Sequence, residues 1–385
     1  MVNRMNLNQW KLIAVLATIL LVSCSTTEEA PSFREWYSKN KGAKAGEYDS
    51  SKLRTKVVTS ENYRIDKIYR SMMGPTSEEE FQLADSGDLV WLVGYDVRVL
   101  DSAGTELSPE FMCHNNLNLS VERNFPWEPG VFAYTNRIFT LTQGYTQLQL
   151  PQGFGIPFPA NQKFKAIFQA LNHNNPTLDT SLYHEVTLKY YLDSEIEFPM
   201  QALSQNTVWL VKQYDGPYGV YGEKPEKELK EEEGQKFNYH EAQQPSCGVD
   251  MLANNPLADL DLYYDQYGRK FTGHWKISPG TEMLRFEATK MLNLSEDKML
   301  YYATAHVHPY CEYLELYDIT DSRTVFRTEM KSIPDKIGLE YITDFTSEEG
   351  LLLSKDHRYE LVSSYNNVGD DTLSAMSVLY LYLNQ

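Results

Sequence analysis

The sequence predicts an all-β protein of two jelly-roll-like antiparallel β-sandwich domains in tandem, set behind an export segment and a tether. Three observations point there. Aromatic residues make up 13% of the 385 residues, with 27 tyrosines among them, a composition that suits pleated sheet better than helix bundles. Short runs of β-branched and aromatic residues recur along the chain, separated by turn-forming residues, which is the spacing of a sandwich. Beyond the N-terminus, no helical periodicity persists for more than about three turns. With 42% apolar and 23% charged residues there is ample material for a buried core.

The elements are justified in chain order. Arg4 and Lys11 form a basic region ahead of the apolar stretch Leu12 to Val22, which is too short to span a bilayer. It ends Leu21-Val22-Ser23-Cys24, the pattern of a bacterial lipobox, in which residues 1–23 are removed and Cys24 carries lipid. Several acyl chains on one cysteine suffice for stable anchoring. Ser25 replaces the aspartate that retains such proteins in the inner membrane, so the expected address is the outer membrane, with the protein facing the periplasm or the outside. Residues 24–60 then read as a tether.

A first sandwich is expected over 61–198. Its strand candidates are 89–93, 97–100, 132–135, 163–168 and 185–192, separated by turns such as Asp101-Ser102-Ala103-Gly104. A second sandwich is expected over 199–385, with candidates at 284–288, 300–307, 313–317, 325–327 and 378–383. Between them, the charged segment 222–234 reads as a solvated insertion.

Charge and motifs exclude several functions. Lys plus Arg total 35 against 53 Asp plus Glu, a net −18, and no basic face exists to bind nucleic acid. The phosphate-binding G-x-x-x-x-G-K-[ST] and the G-x-S-x-G nucleophile motif are both absent, as is His-Glu-x-x-His.

Among the eight histidines one pair stands out. Ala305-His306-Val307-His308 places two imidazoles at i and i+2, on one face of a strand, where both can reach one ion. Thr272-Gly273-His274-Trp275 lies upstream, followed by Ser278-Pro279-Gly280. Pro309-Tyr310-Cys311 follows the pair, and Asp370-Asp371 with Met376 comes later. With these motifs the second half resembles the C-terminal domain of the type II, ascorbate-dependent copper monooxygenases. That family includes peptidylglycine α-hydroxylating monooxygenase and dopamine β-hydroxylase, and the likeness is closer to bacterial lipoprotein relatives with a GHW…PPG…HxHP pattern. Ser278 departs from that pattern without touching a ligand. The resemblance covers 246–385 well and 60–200 more loosely.

The resemblance implies that His306, His308 and Met376 hold a catalytic copper. A thioether is a soft ligand that favours Cu(I), while imidazole serves either oxidation state. It implies a second, electron-relaying copper in the first domain, held by a histidine pair and a distant third histidine. There His114 matches one member of the pair, and His173 the third position. Asn115 or Cys113 stands where the other imidazole would be, and Cys113 is either a thiolate donor or a buried apolar residue. His274 reads as a hydrogen-bonded core group or a support for the ligands. His184, His240 and His357 read as structural or surface groups.

With Cys24 acylated, Cys113, Cys247 and Cys311 leave one disulfide and one free thiol, and a 247–311 link is one possible pairing. The implied function is a membrane-anchored monooxygenase with one or two copper ions. It would hydroxylate a small-molecule or peptide substrate with dioxygen and a one-electron reductant such as ascorbate. The alternatives are a non-catalytic copper-binding or ligand-binding surface lipoprotein without the relay site, and a sandwich whose histidines bind nothing. The lipobox makes a direct prediction. Cys24→Ala should abolish lipid labelling and either block processing or release the protein from the membrane fraction, as membrane fractionation after radiolabelled palmitate feeding would reveal.

Overall fold

Half-buried strands are legible in the burial of the long strand Thr180–Leu192. Leu182, His184, Val186 and Leu188 point inward, and the residues between them are more exposed. The computed structural model describes residues 49–71, 73–120, 136–198, 200–214, 262–264 and 267–384. The lipobox, Cys24, the 132–135 strand candidate, the 222–234 insertion, His240 and Cys247 lie outside the described residues.

The first sandwich contains β1 (Arg54–Thr59), β2 (Tyr63–Ile65), β3 (Thr76–Phe81), β4 (Leu89–Asp101), β5 (Met112–Leu119), β6 (Arg137–Thr142), β7 (Gln147–Gln149), β8 (Phe154–Pro159), β9 (Phe164–Ala170) and β10 (Thr180–Leu192). The second part opens with β11 (Gln201–Trp209), β12 (Lys212–Gln213), β13 (Leu262–Tyr264), β14 (Lys270–Thr272), β15 (Trp275–Ile277) and β16 (Gly280–Glu287), followed by the short helix α1 (Thr289–Leu292). It continues with β17 (Lys298–Val307), β18 (Cys311–Asp318), β19 (Arg323–Ser332), β20 (Leu339–Ile342), β21 (Phe345–Leu353), β22 (Tyr359–Asn367), β23 (Leu373–Ala375) and β24 (Ser377–Asn384).

Strand order reveals the same jelly roll twice. In the first sandwich the sheet β1-β10-β4-β8 faces β3-β9-β5-β6. In the second, β11-β24-β17-β21 faces β16-β22-β18-β19-β20. The first-named sheets join edge to edge. β11 runs parallel to β8, with Gln201 opposite Phe154 and Ala202 opposite Gly155, so one ten-stranded sheet spans both sandwiches. Residues 41–385 accordingly form one compact unit.

Two expectations are corrected by the pairing. The strand candidates 89–93 and 97–100 are one strand, β4, running through Gly94. A Cβ there would come within 2.8 Å of the Gln149 side chain, so the glycine admits the crossing of β7 rather than ending the strand. The tether does not extend to residue 60. Residues 54–59 pair with β10, from Arg54 opposite Tyr190 to Thr59 opposite Glu185, and bury Val58.

The seam between the sandwiches lacks the usual alternation. β5 and β6 are buried at every position, and β17 from Tyr302 to Val307 and most of β24 are buried on both faces, because each is covered by the other sandwich. Aromatic groups fasten this seam. Tyr382 packs on Phe139 and Tyr302 with centroids 6.0 and 5.5 Å apart, and its hydroxyl donates to the Ile138 carbonyl at 2.9 Å. Tyr302 hydrogen-bonds Tyr145 and donates to Asp344 at 2.7 Å. Each such aromatic pair contributes about 0.5–1.5 kcal/mol beyond its buried area.

The turn between β6 and β7 completes the joint. Gly144 has a φ of 82°, its carbonyl accepts from Ile342 N at 2.9 Å, and Gln143 Oε1 accepts from Leu339 N at 3.0 Å. A Cβ at Gly144 would meet Leu339 Cβ at 3.0 Å. Gly144→Ala combines a left-handed backbone with this contact and should destabilise the protein by about 1–3 kcal/mol, read as a lower urea midpoint.

Candidate metal centre at the seam

Period-2 geometry puts His306, in β17, and His308, just past its end, on one face, and their ring centroids are 5.9 Å apart. The seam adds a third imidazole from the other sandwich. His114, on β5, lies 6.0 Å from His306 with the rings nearly perpendicular. A fourth, His274, from the loop between β14 and β15, lies 5.9 Å from His308. The order is therefore His114, His306, His308, His274.

His306 is 1% exposed, and neither ring nitrogen has a hydrogen-bond partner. His308 is oriented by its Nδ1, which donates to the Ser374 carbonyl at 3.1 Å and so presents Nε2 as a lone pair. Met376 is buried and directly precedes Ser377, which pairs with Val307, the residue before His308. With metal–nitrogen bonds of about 2.0–2.1 Å, two imidazoles sharing an ion have centroids roughly 5–6 Å apart, which matches these spacings. No three nitrogens of the cluster lie within 4.8 Å of one another. It thus offers imidazole pairs rather than a three-imidazole set.

The remaining expected groups are placed as follows. Asn115, the next residue on β5, turns its side chain away from His114. Its Nδ2 donates to Met112 Sδ, and its Oδ1 meets His184 Nδ1 at 3.1 Å, in the core against Tyr63. Cys113 belongs to the apolar core. His173 follows β9, where its Nε2 meets Ser71 Oγ at 3.3 Å, and its charge is felt at His308. Cys311 is a buried free thiol directed at the Tyr313 carbonyl, and burial pushes its pKa up to about 12. Two supports were not legible beforehand, Ser374 and the Tyr365 hydroxyl, because a backbone carbonyl and one of many tyrosines carry no motif.

Among the described residues, the three-ligand set of His, Cys, Asp or Glu within 4.8 Å is Asp318, Asp321 and His357. There His357 Nδ1 meets Asp318 at 2.8 Å and Arg323 lies alongside, so the set is a satisfied ion-pair network.

Burial decides the protonation of the cluster. It pushes His114 down to about 3, aided by the Arg137 guanidinium and the other imidazoles, and His308 down to about 3, aided by His274. His306 falls well below its ordinary value for the same reason. His173 and His184 are lowered to about 4, again chiefly by burial. All are neutral near pH 7, with lone pairs available.

A stability prediction follows from the sign of these shifts. Between about pH 6.5 and 4 the unfolded chain takes up protons on these histidines and the folded chain does not. Their neutral burial therefore contributes fully above pH 6.5 and is lost as pH falls, by up to about 1.4 kcal/mol per pH unit for each histidine. His357, half-buried, is shifted upward by its hydrogen bond to Asp318 and runs the other way. Urea denaturation of the metal-free protein should show midpoints falling steadily from pH 7 to 5, and a flat profile would contradict the buried, neutral assignment.

No protein-family profile and no curated protein matches the chain. Among solved structures it is similar to PNGase F, a glycosylasparaginase from Flavobacterium meningosepticum, with 9% identity over 86% of this chain and 96% of that one and a TM-score of 0.34. It is also similar to the STIV MCP, with 9% identity, 86% and 96% coverage and a TM-score of 0.29. The atomic structure of Sulfolobus Turreted Icosahedral Virus matches with 8% identity, 86% and 91% coverage and a TM-score of 0.28.

Proposed function

We propose that this chain is a copper-binding oxidoreductase of the ascorbate-dependent monooxygenase kind, anchored to a bacterial outer membrane through lipid on Cys24. The carrying observation is His306, an imidazole 1% exposed, flanked by His114 and His308, with both nitrogens unpartnered. Leaving such a group unsatisfied costs about 1–3 kcal/mol, a cost that a bound metal removes.

The donor types fit copper. Neutral imidazoles and a thioether suit Cu(I) and Cu(II), whereas hard cations require oxygen ligands. His306 and His308 would hold the ion, with Met376 and His114 at hand. Bound copper supplies one-electron exchange between a reductant and dioxygen. The chain's own residues do the rest. The Ser374 carbonyl fixes the His308 tautomer, and burial keeps bulk water away. Arg137 is buried and held by Asn118 at 2.6 Å and Thr140 at 3.0 Å. Its positive charge near His114 and His306 favours the less charged metal state.

One observation favours a second reading, a copper-holding protein without the reaction. Asn115 is committed to Met112 and His184, so β5 supplies His114 with no adjacent imidazole for a separate relay site. Metal analysis and an oxygen electrode separate the two. The soluble fragment beginning after residue 25 should bind copper and consume oxygen with ascorbate. His306→Ala should lose copper with unchanged far-UV circular dichroism, and Met376→Leu should slow oxygen uptake at least about tenfold. One copper per chain with no uptake for any candidate substrate supports the second reading, and no copper at all overturns both.

A further inference from the structure

Tyr365, on β22, is 1% exposed, and its hydroxyl serves two backbone positions far apart in sequence. It accepts from the His308 amide at 3.4 Å and from the Met376 amide at 3.3 Å, and it donates to the Met376 carbonyl. A phenol hydroxyl offers one donor and two acceptor positions, so this set uses its whole capacity. The two residues it ties together flank the last paired positions of β17 and β24, His308 following Val307 and Met376 preceding Ser377. Its ring is also held edge-on by Trp275, the residue after His274, with centroids 6.0 Å apart.

Beside these strand ends the Val307–Ser377 pair closes the ladder and Ser377 is held by Ser363 Oγ at 2.7 Å and by Leu210 N at 3.0 Å, so the Tyr365 hydroxyl acts on the residues just beyond the paired ones. β17 stops at Val307 and β24 begins at Ser377, so His308 and Met376 lie just beyond the regular ladder. The Ser374 carbonyl orients the His308 ring but does not reach Met376. We propose that Tyr365 is the positioning residue of the metal centre, its hydroxyl setting the distance between His308 and Met376 so that imidazole and thioether meet one soft ion. The assignment rests on the copper reading above. The mechanism is mechanical: three hydrogen bonds to one rigid side chain lock three peptide units, one at His308 and two flanking Met376, and the ligand side chains inherit that placement. Burial keeps the phenol protonated, so the clamp persists at any pH at which the protein is folded.

The test compares the soluble wild-type fragment with Tyr365→Phe, which keeps the ring and its packing. Loaded with Cu(I), wild type should give a copper–sulfur component in X-ray absorption. Tyr365→Phe should lose that component and bind Cu(I) about 10–100-fold more weakly, the range seen when groups supporting a metal ligand are removed. Met376→Leu should weaken Cu(I) binding in wild type and have little further effect in Tyr365→Phe, because the thioether is already displaced. In the metal-free state, the His308 and Met376 amides should exchange hydrogen faster in Tyr365→Phe, a readout that does not depend on copper. A wild type that binds Cu(I) with sulfur, beside a Tyr365→Phe that keeps the sulfur component and the affinity, overturns this assignment alone. A wild type that binds no copper overturns the functional reading and this assignment with it.

Discussion

The structure depends on one constraint, the burial of β17 and β24 against β5 and β6 along the seam between the sandwiches. These strands have no solvent face. Polar residues on them must therefore find partners inside the protein or remain unsatisfied. Asn118, Arg137 and Thr140 satisfy one another, and Tyr145, Tyr302 and Asp344 do the same. His306 does not: both of its ring nitrogens lack partners, whereas Asn116 and Thr304 on the same strands each leave one oxygen unpartnered, and this doubly unpartnered imidazole marks the candidate site.

The same burial sets the electrostatics. Four imidazoles stand within about ring-contact distance of their neighbours, with a buried guanidinium close by, and burial keeps His114, His306 and His308 neutral at neutral pH. Neutral imidazoles are competent metal donors, so one cause yields both a stability liability and a chemical opportunity. Concentrating unsatisfied groups where the fold is otherwise well packed is the pattern expected of a functional site.

The repeated jelly roll explains how the site is assembled. In each sandwich the last strand of this sheet lies between its first and second strands in chain order, which brings β24 beside β17. The Tyr365 hydroxyl bonds the backbone of both His308 and Met376 where those neighbours end. His114 arrives from the facing sheet of the other sandwich, delivered by the edge-to-edge join at β8 and β11 and by the docking of the Gly144 turn.

Local geometry was legible in the sequence alone. Period-2 alternation placed His306 and His308 on one face, and aromatic and β-branched runs marked β9, β10, β17, β18 and β24. These depend on residues a few positions apart, and the chain's own stereochemistry relates them. The tertiary structure alone decided which strands become neighbours and in what register. The meeting of His114 with His306, the commitment of Asn115 to His184 rather than to a metal site, and the Tyr365 clamp on His308 and Met376 all follow from sheet order and the docking of two sandwiches. No local pattern encodes those contacts, because a strand's sequence states which residues share a face and not what that face will meet.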